Sequence, residues 1–168
     1  DSKNLFSDGV LSMTQTRNGD LWFGTQGNGL IKFSKGEYSY FNENEGLQDP
    51  YIFSLSTHGD SVLVGTTNSG VYIAKGKTLN KLNIDEIENA WISAVLIDPR
   101  GMYVISSVGL LHQSNSGKIE LITDRNGLSS NDLYNGYFAN NIIQNTTFTV
   151  VNVTVKNNLA IGAPAGFT

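Results

Sequence analysis

Tyr51 and Trp91 stand 40 positions apart, each directly ahead of an isoleucine, Ile52 and Ile92. An aromatic ring can stack on the apolar face of a sugar or another flat ligand, while nearby amides and carboxylates fix its orientation by hydrogen bonds. Candidates for those polar groups lie beside the two rings and one repeat further on: Gln48, Asp49, Asn89, Asn131 and Asp132. The competing reading is that Tyr51 and Trp91 seal junctions between structural units. Residue type leaves both readings open.

Residues for catalysis are sparser. His58 falls in a turn and His112 at the end of a strand, and each reads as a solvated surface side chain. No Gly-x-Ser-x-Gly elbow and no His-Glu-x-x-His occurs. The glycines of 24–29 suggest a phosphate cradle, yet they lie within a hairpin and open no helix. The acidic run Asp85, Glu86 and Glu88 lacks the alternating oxygens and central glycine of a calcium loop and reads as a solvated linker. With no cysteine, disulfides, thiolate metal sites and cysteine nucleophiles are all excluded. The expectation is a non-enzyme with no catalytic residue, no metal and no cofactor.

Positioning those rings requires a scaffold, and composition indicates its class. A chain of 168 residues is long enough for one domain with its own core. Only 15% of it is charged, while 18 glycines accompany many Asn, Ser and Thr, the profile of a turn-rich β protein. A net charge of -4 and an isoelectric point near 5.0 supply no basic footprint for nucleic acid. No apolar run approaches the roughly 18 residues of a membrane helix. The chain starts at Asp1 with no signal-peptide pattern, which reads as a processed or excised piece.

A repeat supplies the scaffold. The frame Asp20-Leu21-Trp22-Phe23-Gly24-Thr25, then Gly29-Leu30-Ile31-Lys32-Phe33, recurs at Val62–Thr66 with Gly70–Ile73 and, degraded, at Met102–Ser107 with Gly109–Leu111. A loose fourth copy covers Asn158–Ala163 and Gly166–Thr168. Anchors Gly24, Gly65 and Ser106 are 41 residues apart, and Gly162 lies 56 further on. Each period contains four short strands separated by turns. The first reads Leu11–Thr16, Leu21–Thr25, Leu30–Phe33 and Glu37–Phe41, with Asn18-Gly19 and Lys35-Gly36 as hairpin signals. The second reads Ile52–Ser56, Val62–Thr66, Val71–Ala74 and Thr78–Leu82, and the third Ile92–Ile97, Met102–Ser106, Leu110–Gln113 and Lys118–Thr123. A helical-array reading fails because no window sustains apolar residues at i, i+3 and i+4. Four antiparallel strands in about 41 residues describe a blade of an all-β propeller.

The expected blades are 10–46, 47–84, 85–127 and an incomplete 128–168, about four in a partial or fragmentary propeller. Trp22 faces a neighbouring blade and reads as inter-blade packing, and Gly24, Gly65 and Gly162 should superpose as second strands. Residues 134–144 read as an inserted lid or a divergent strand, and 146–155 as a strand. Tyr51 and Trp91 fall where one blade hands over to the next, at the mouth of the channel. They should share one funnel.

The frame at 18–33 resembles the two-component regulator propeller repeat, and the Gly-Leu segments Asn44–Asp49 and Arg125–Asn131 resemble its inter-blade linkers. The likeness covers about 1–134 well and 148–168 loosely. It implies a periplasmic or extracellular sensor domain of a bacterial hybrid two-component system that binds a small molecule, several such sensors reading oligosaccharides. Its partners would be that ligand and the blades, or the second copy of the chain, that complete the ring. A secreted or surface interaction scaffold is the alternative. A propeller enzyme resembling streptogramin lyase is a third reading, one that would require a histidine and an acid at the channel.

Overall fold

The computed structural model describes residues 9–128 and the backbone of two further strands at 136–144 and 149–155. Asn131, Asp132 and the Gly162 repeat copy lie outside the described residues.

Sheet 1 consists of β1 (Val10–Gln15), β2 (Leu21–Thr25), β3 (Leu30–Ser34) and β4 (Glu37–Phe41). Sheet 2 holds β5 (Ile52–His58), β6 (Ser61–Thr66), β7 (Val71–Lys75) and β8 (Thr78–Lys81). Sheet 3 holds β9 (Ile92–Asp98), β10 (Gly101–Ser106), β11 (Gly109–Ser114) and β12 (Ile119–Ile122). In all three, antiparallel strands lie side by side in chain order, the blade topology expected. The stretch read as a lid or divergent strand is strand β13 (Gly136–Gln144), which pairs with β14 (Thr149–Val155) in a two-stranded sheet.

Local chemistry closes the hairpins. The Asn18 side chain accepts the Asp20 amide, and Lys35 and Gly36 both take positive φ, 51° and 86°, as a tight two-residue turn demands. Between sheets 1 and 2, Asn42 caps a single 3-10 turn, Glu43–Glu45, which ends at Gly46 and drops Leu47 into the core. The acidic linker is more ordered than its charges suggest. Asp85–Ile87 forms a second 3-10 turn that buries Ile87 and Ala90 and leaves the acids outside.

The sheets stack face to face. Trp22, Leu30 and Phe41 on the forward face of sheet 1 meet Val62, Val64, Tyr72 and Ala74 of sheet 2. Leu63 and Val71 of sheet 2 meet Met102, Val104 and Leu111 of sheet 3. Trp22 is fully buried and stacks on Phe41 with centroids 5.5 Å apart, so it is junction core as its alternation predicts. Burial of each such side chain contributes roughly 1.5–3 kcal/mol.

Gly24 and Gly65 are where the sheets come closest. A Cβ on Gly24 would stand 2.6 Å from Cγ2 of Ile52, and one on Gly65 would stand 2.7 Å from Cγ2 of Ile92. Glycine is required there by space. The pairing corrects the third anchor. Gly24 faces Ser12, Gly65 faces Ser54, and Ile105 faces Ala94, so Ile105 rather than Ser106 occupies the glycine position. Ser106 replaces Thr66, its hydroxyl donating to Gly109 O as that of Thr66 does to Gly70 O. Ile52 to Gly65 and Ile92 to Ile105 both span 13 positions, so a count of 41 from Gly65 lands one residue past the equivalent position. The turn that follows, Ser106 to Gly109, is itself one residue shorter than Thr66 to Gly70.

Candidate functional site

Tyr51 and Trp91 sit at equivalent points. The Tyr51 carbonyl accepts the Thr67 amide and the Trp91 carbonyl the Ser107 amide, while Gly9 does the same for Gln26. All three precede an inner strand, at the end of the sheets that carries the linkers. Their side chains diverge. Tyr51 is 45% exposed, whereas Trp91 is half-buried with its ring edge-on to Phe53, centroids 4.9 Å apart and planes at 80°.

An open cleft of about 420 Å³ lies beside Tyr51. The linker into sheet 2 supplies Gln48, Asp49 and Tyr51, and the β6–β7 turn supplies Thr67, Asn68 and Ser69. Lys81 and the linker residues Glu88 and Asn89 form the remaining wall. Four of the seven candidates, Gln48, Asp49, Tyr51 and Asn89, are thereby brought together. Trp91 is not among the walls of this cleft. It is drawn instead toward Phe53 of the preceding sheet, where its apolar area is covered.

Asp49 is already engaged. Its Oδ1 accepts the Tyr51 amide at 3.0 Å, and its Oδ2 accepts the Thr67 hydroxyl at 2.9 Å and the Asn68 amide at 2.6 Å. These bonds staple the linker to the β6–β7 turn and satisfy a buried carboxylate. Asp49 therefore shapes the cleft. Gln48 is pinned as well: its amide donates to the Tyr72 hydroxyl, and its Oε1 accepts from Ser69 Oγ and Lys81 Nζ. Lys81 also stands 3.8 Å from Glu88. The cleft presents an exposed ring beside the exposed amides of Asn68 and Asn89, over a braced polar floor.

Sequence reasoning did not find Thr67, Asn68, Ser69 or Lys81. The Gly-x-hydrophobic spacing marked their turn as a hairpin and nothing more.

The shifted acids lie at the opposite end of the sheets. Lys32 and Ser34 bond the Asp20 carboxyl and hold it below its ordinary range. Burial pushes Asp98 up, yet hydrogen bonds from Arg100 outweigh it and leave that carboxyl low. His58 is exposed at the end of β5. His112 is not the solvated residue expected. It pairs across the strands with Tyr103, the rings stacked 4.4 Å apart, and its Nε2 is buried with no hydrogen-bond partner. The cause is position: Tyr103 and His112 share a covered face of sheet 3. Among the described residues, no three His, Asp or Glu side chains cluster as metal ligands.

Comparison with known proteins agrees with this architecture. Residues 4–27 match the two-component regulator propeller family. No curated protein matches the sequence. The extracellular domain of the Bacteroides thetaiotaomicron hybrid two-component system BT3049 superposes with a TM-score of 0.63 at 17% identity, over 74% of this chain and 17% of its own. The extracellular domain of BT4673 from the same bacterium, a one-component system, gives 0.61 at 17% identity, over 79% and 19%. PorZ, a surface component of the type-IX secretion system of Porphyromonas gingivalis, gives 0.56 at 15%, over 79% and 24%. The chain thus spans about a fifth of these structures, and identities this low speak for the fold alone. The fold is that of a β-propeller, and one segment of the chain, residues 4–27, is similar to the two-component regulator propeller family.

Proposed function

We propose that this chain is a non-catalytic, ligand-binding part of a bacterial sensor propeller, acting outside the cytoplasm, with a carbohydrate as its ligand. The observation that carries the reading is the cleft itself, lined by an exposed Tyr51 ring together with the exposed Asn68 and Asn89 over a braced floor. A flat aromatic surface takes the C–H face of a sugar, and amides both donate to and accept from its hydroxyls. Repeat and fold likeness to extracellular domains of signalling systems supports the sensor role. Among the described residues, no helix is long and apolar enough to cross a membrane.

A titration by calorimetry or NMR with neutral gluco-, galacto- and manno-oligosaccharides of about two to six sugars tests the proposal. At least one series should bind, with amide shifts at Asn68 and Asn89. Tyr51→Ala should weaken binding by about 1–3 kcal/mol, the range of an aromatic anchor. Absence of binding across the panel would exclude a neutral carbohydrate. The surface-scaffold reading draws on the likeness to PorZ and on the apolar outer face of sheet 1. Saturable sugar binding that leaves that face unchanged would count against it.

A further inference from the structure

The walls of the cleft are charged, and the way those charges are engaged points to one class of sugar. Among its lining residues, Asp49 and Glu88 are acids and Lys81 is a base. Asp49 is buried with both oxygens engaged by Tyr51, Thr67 and Asn68, so its charge is fixed beside the cleft while its acceptors are in use. Lys81 donates to Gln48 Oε1 at 2.8 Å, and its side chain is 20% exposed. Glu88 stands 3.8 Å from that ammonium, beyond hydrogen-bond reach, with 58% of its side chain exposed. Among the described residues its carboxylate accepts no hydrogen bond. Glu88 is thus a charged acceptor on the wall with its lone pairs open.

Register shows that this charge is particular to the second linker. Ile52 and Ile92 hold the same place in their sheets, opposite Thr66 and Ser106. Four residues before Ile92 is Glu88, and four before Ile52 is Gln48. Where the first linker carries a braced amide, the second carries an unbraced carboxylate. Tyr51 adds to the same preference, because the face of an aromatic ring is the negative side of its quadrupole and attracts a cation. An ammonium on a sugar stacked at Tyr51 gains from the ring and from Glu88. A carboxylate or sulfate instead meets two acids, while the Lys81 ammonium is already shared between Gln48 and Glu88.

We propose that Glu88 sets the charge preference of the cleft, favouring a sugar that bears a protonated amine over the neutral sugar of the same configuration and disfavouring the corresponding uronate. This rests on the carbohydrate reading of the cleft and names a class within it.

The experiment titrates the chain with amino-sugar, neutral and uronate oligomers in the gluco, galacto and manno configurations, at low and at high salt. In the configuration that binds, the amine should bind about three- to fivefold tighter than the neutral sugar at low salt, and the uronate weaker by a similar factor, the range of a partly exposed charge pair. Both ratios should fall toward one at high salt, where such pairs are screened. E88Q places in the second linker the residue type that the first already carries, and it should abolish the preference for the amine. E86Q, on the same 3-10 turn but outside the cleft walls, should keep it, which separates Glu88 from the chain's overall charge of -4. Equal affinity for amine and neutral sugars at low salt would overturn the proposal and leave the carbohydrate reading standing, as would an amine preference that survives E88Q. A uronate that binds most tightly and is lost in K81M would overturn it too, by making Lys81 the anchor. Absence of binding in every series would remove the carbohydrate reading and this proposal together.

Discussion

Tyr51 and Trp91 enter successive sheets at the same register, each carbonyl accepting the amide that ends the second strand. Tyr51 stands open beside a cleft, and Trp91 is laid edge-on against Phe53. The contrast extends to their linkers. Asp49, two residues before Tyr51, clamps the β6–β7 turn through two hydrogen bonds and holds the Tyr51 amide with a third, whereas its counterpart Asn89 is an exposed wall of the same cleft. The repeat dictates where the backbone goes. What the side chain touches is then decided by neighbours from other repeats, so equivalent positions diverge into a binding surface and a seal.

Substitutions scale this contrast. The largest effect belongs to the junction core, where Trp22→Ala should cost about 3–5 kcal/mol of stability, read by denaturant unfolding. A loss under about 1 kcal/mol would mean that the first two sheets do not depend on that face. Next comes the close approach: Gly65→Ala forces Ser54 and Ile92 apart and should cost about 1–3 kcal/mol. Asp49→Ala should cost about 2 kcal/mol by removing the buried carboxylate that staples Thr67 and Asn68, and it should also weaken any ligand bound at the cleft. A stability loss with unchanged binding would separate the staple from the site.

The smallest effect is electrostatic and lies far from the cleft. The Asp20 carboxyl, held low by Lys32 and Ser34, stabilises the fold above its unfolded-state value near 4, and that contribution is lost as pH falls through its lower folded value. Asp20→Asn should therefore be less stable than the parent near neutrality, and the gap should close in acid. A gap that is constant with pH would show that the ion pair contributes no charge-dependent stability.

Much of the architecture was legible because period-2 alternation and turn glycines are local signals. Leu21–Thr25 and Glu37–Phe41 match the observed strands to the residue. The slip at Ser106 shows the limit of counting. Ile52 and Ile92 are 40 apart while Gly65 and Ser106 are 41 apart, and that inconsistency was the available sign that Ser106 lies one position past the anchor. The site was less legible. Tyr51 and Asn89 were found by repeat position, but Asp49 as a staple and the Thr67–Ser69 turn as a wall depend on contacts between segments about 20 residues apart, which spacing does not record. His112 was misread because a lone histidine carries no sign of the ring it pairs with across the strands.

The most direct test of the division between site and seal is a paired measurement on Tyr51→Ala and Trp91→Ala, recording thermal unfolding and oligosaccharide titration for each. Tyr51→Ala should lose tenfold or more in binding with its melting temperature nearly unchanged, while Trp91→Ala should lose about 2 kcal/mol of stability and, at temperatures where it is folded, keep its binding. Equal losses of stability in the two variants, with binding unaffected in both, would mean that both rings are junction packing and would contradict the account.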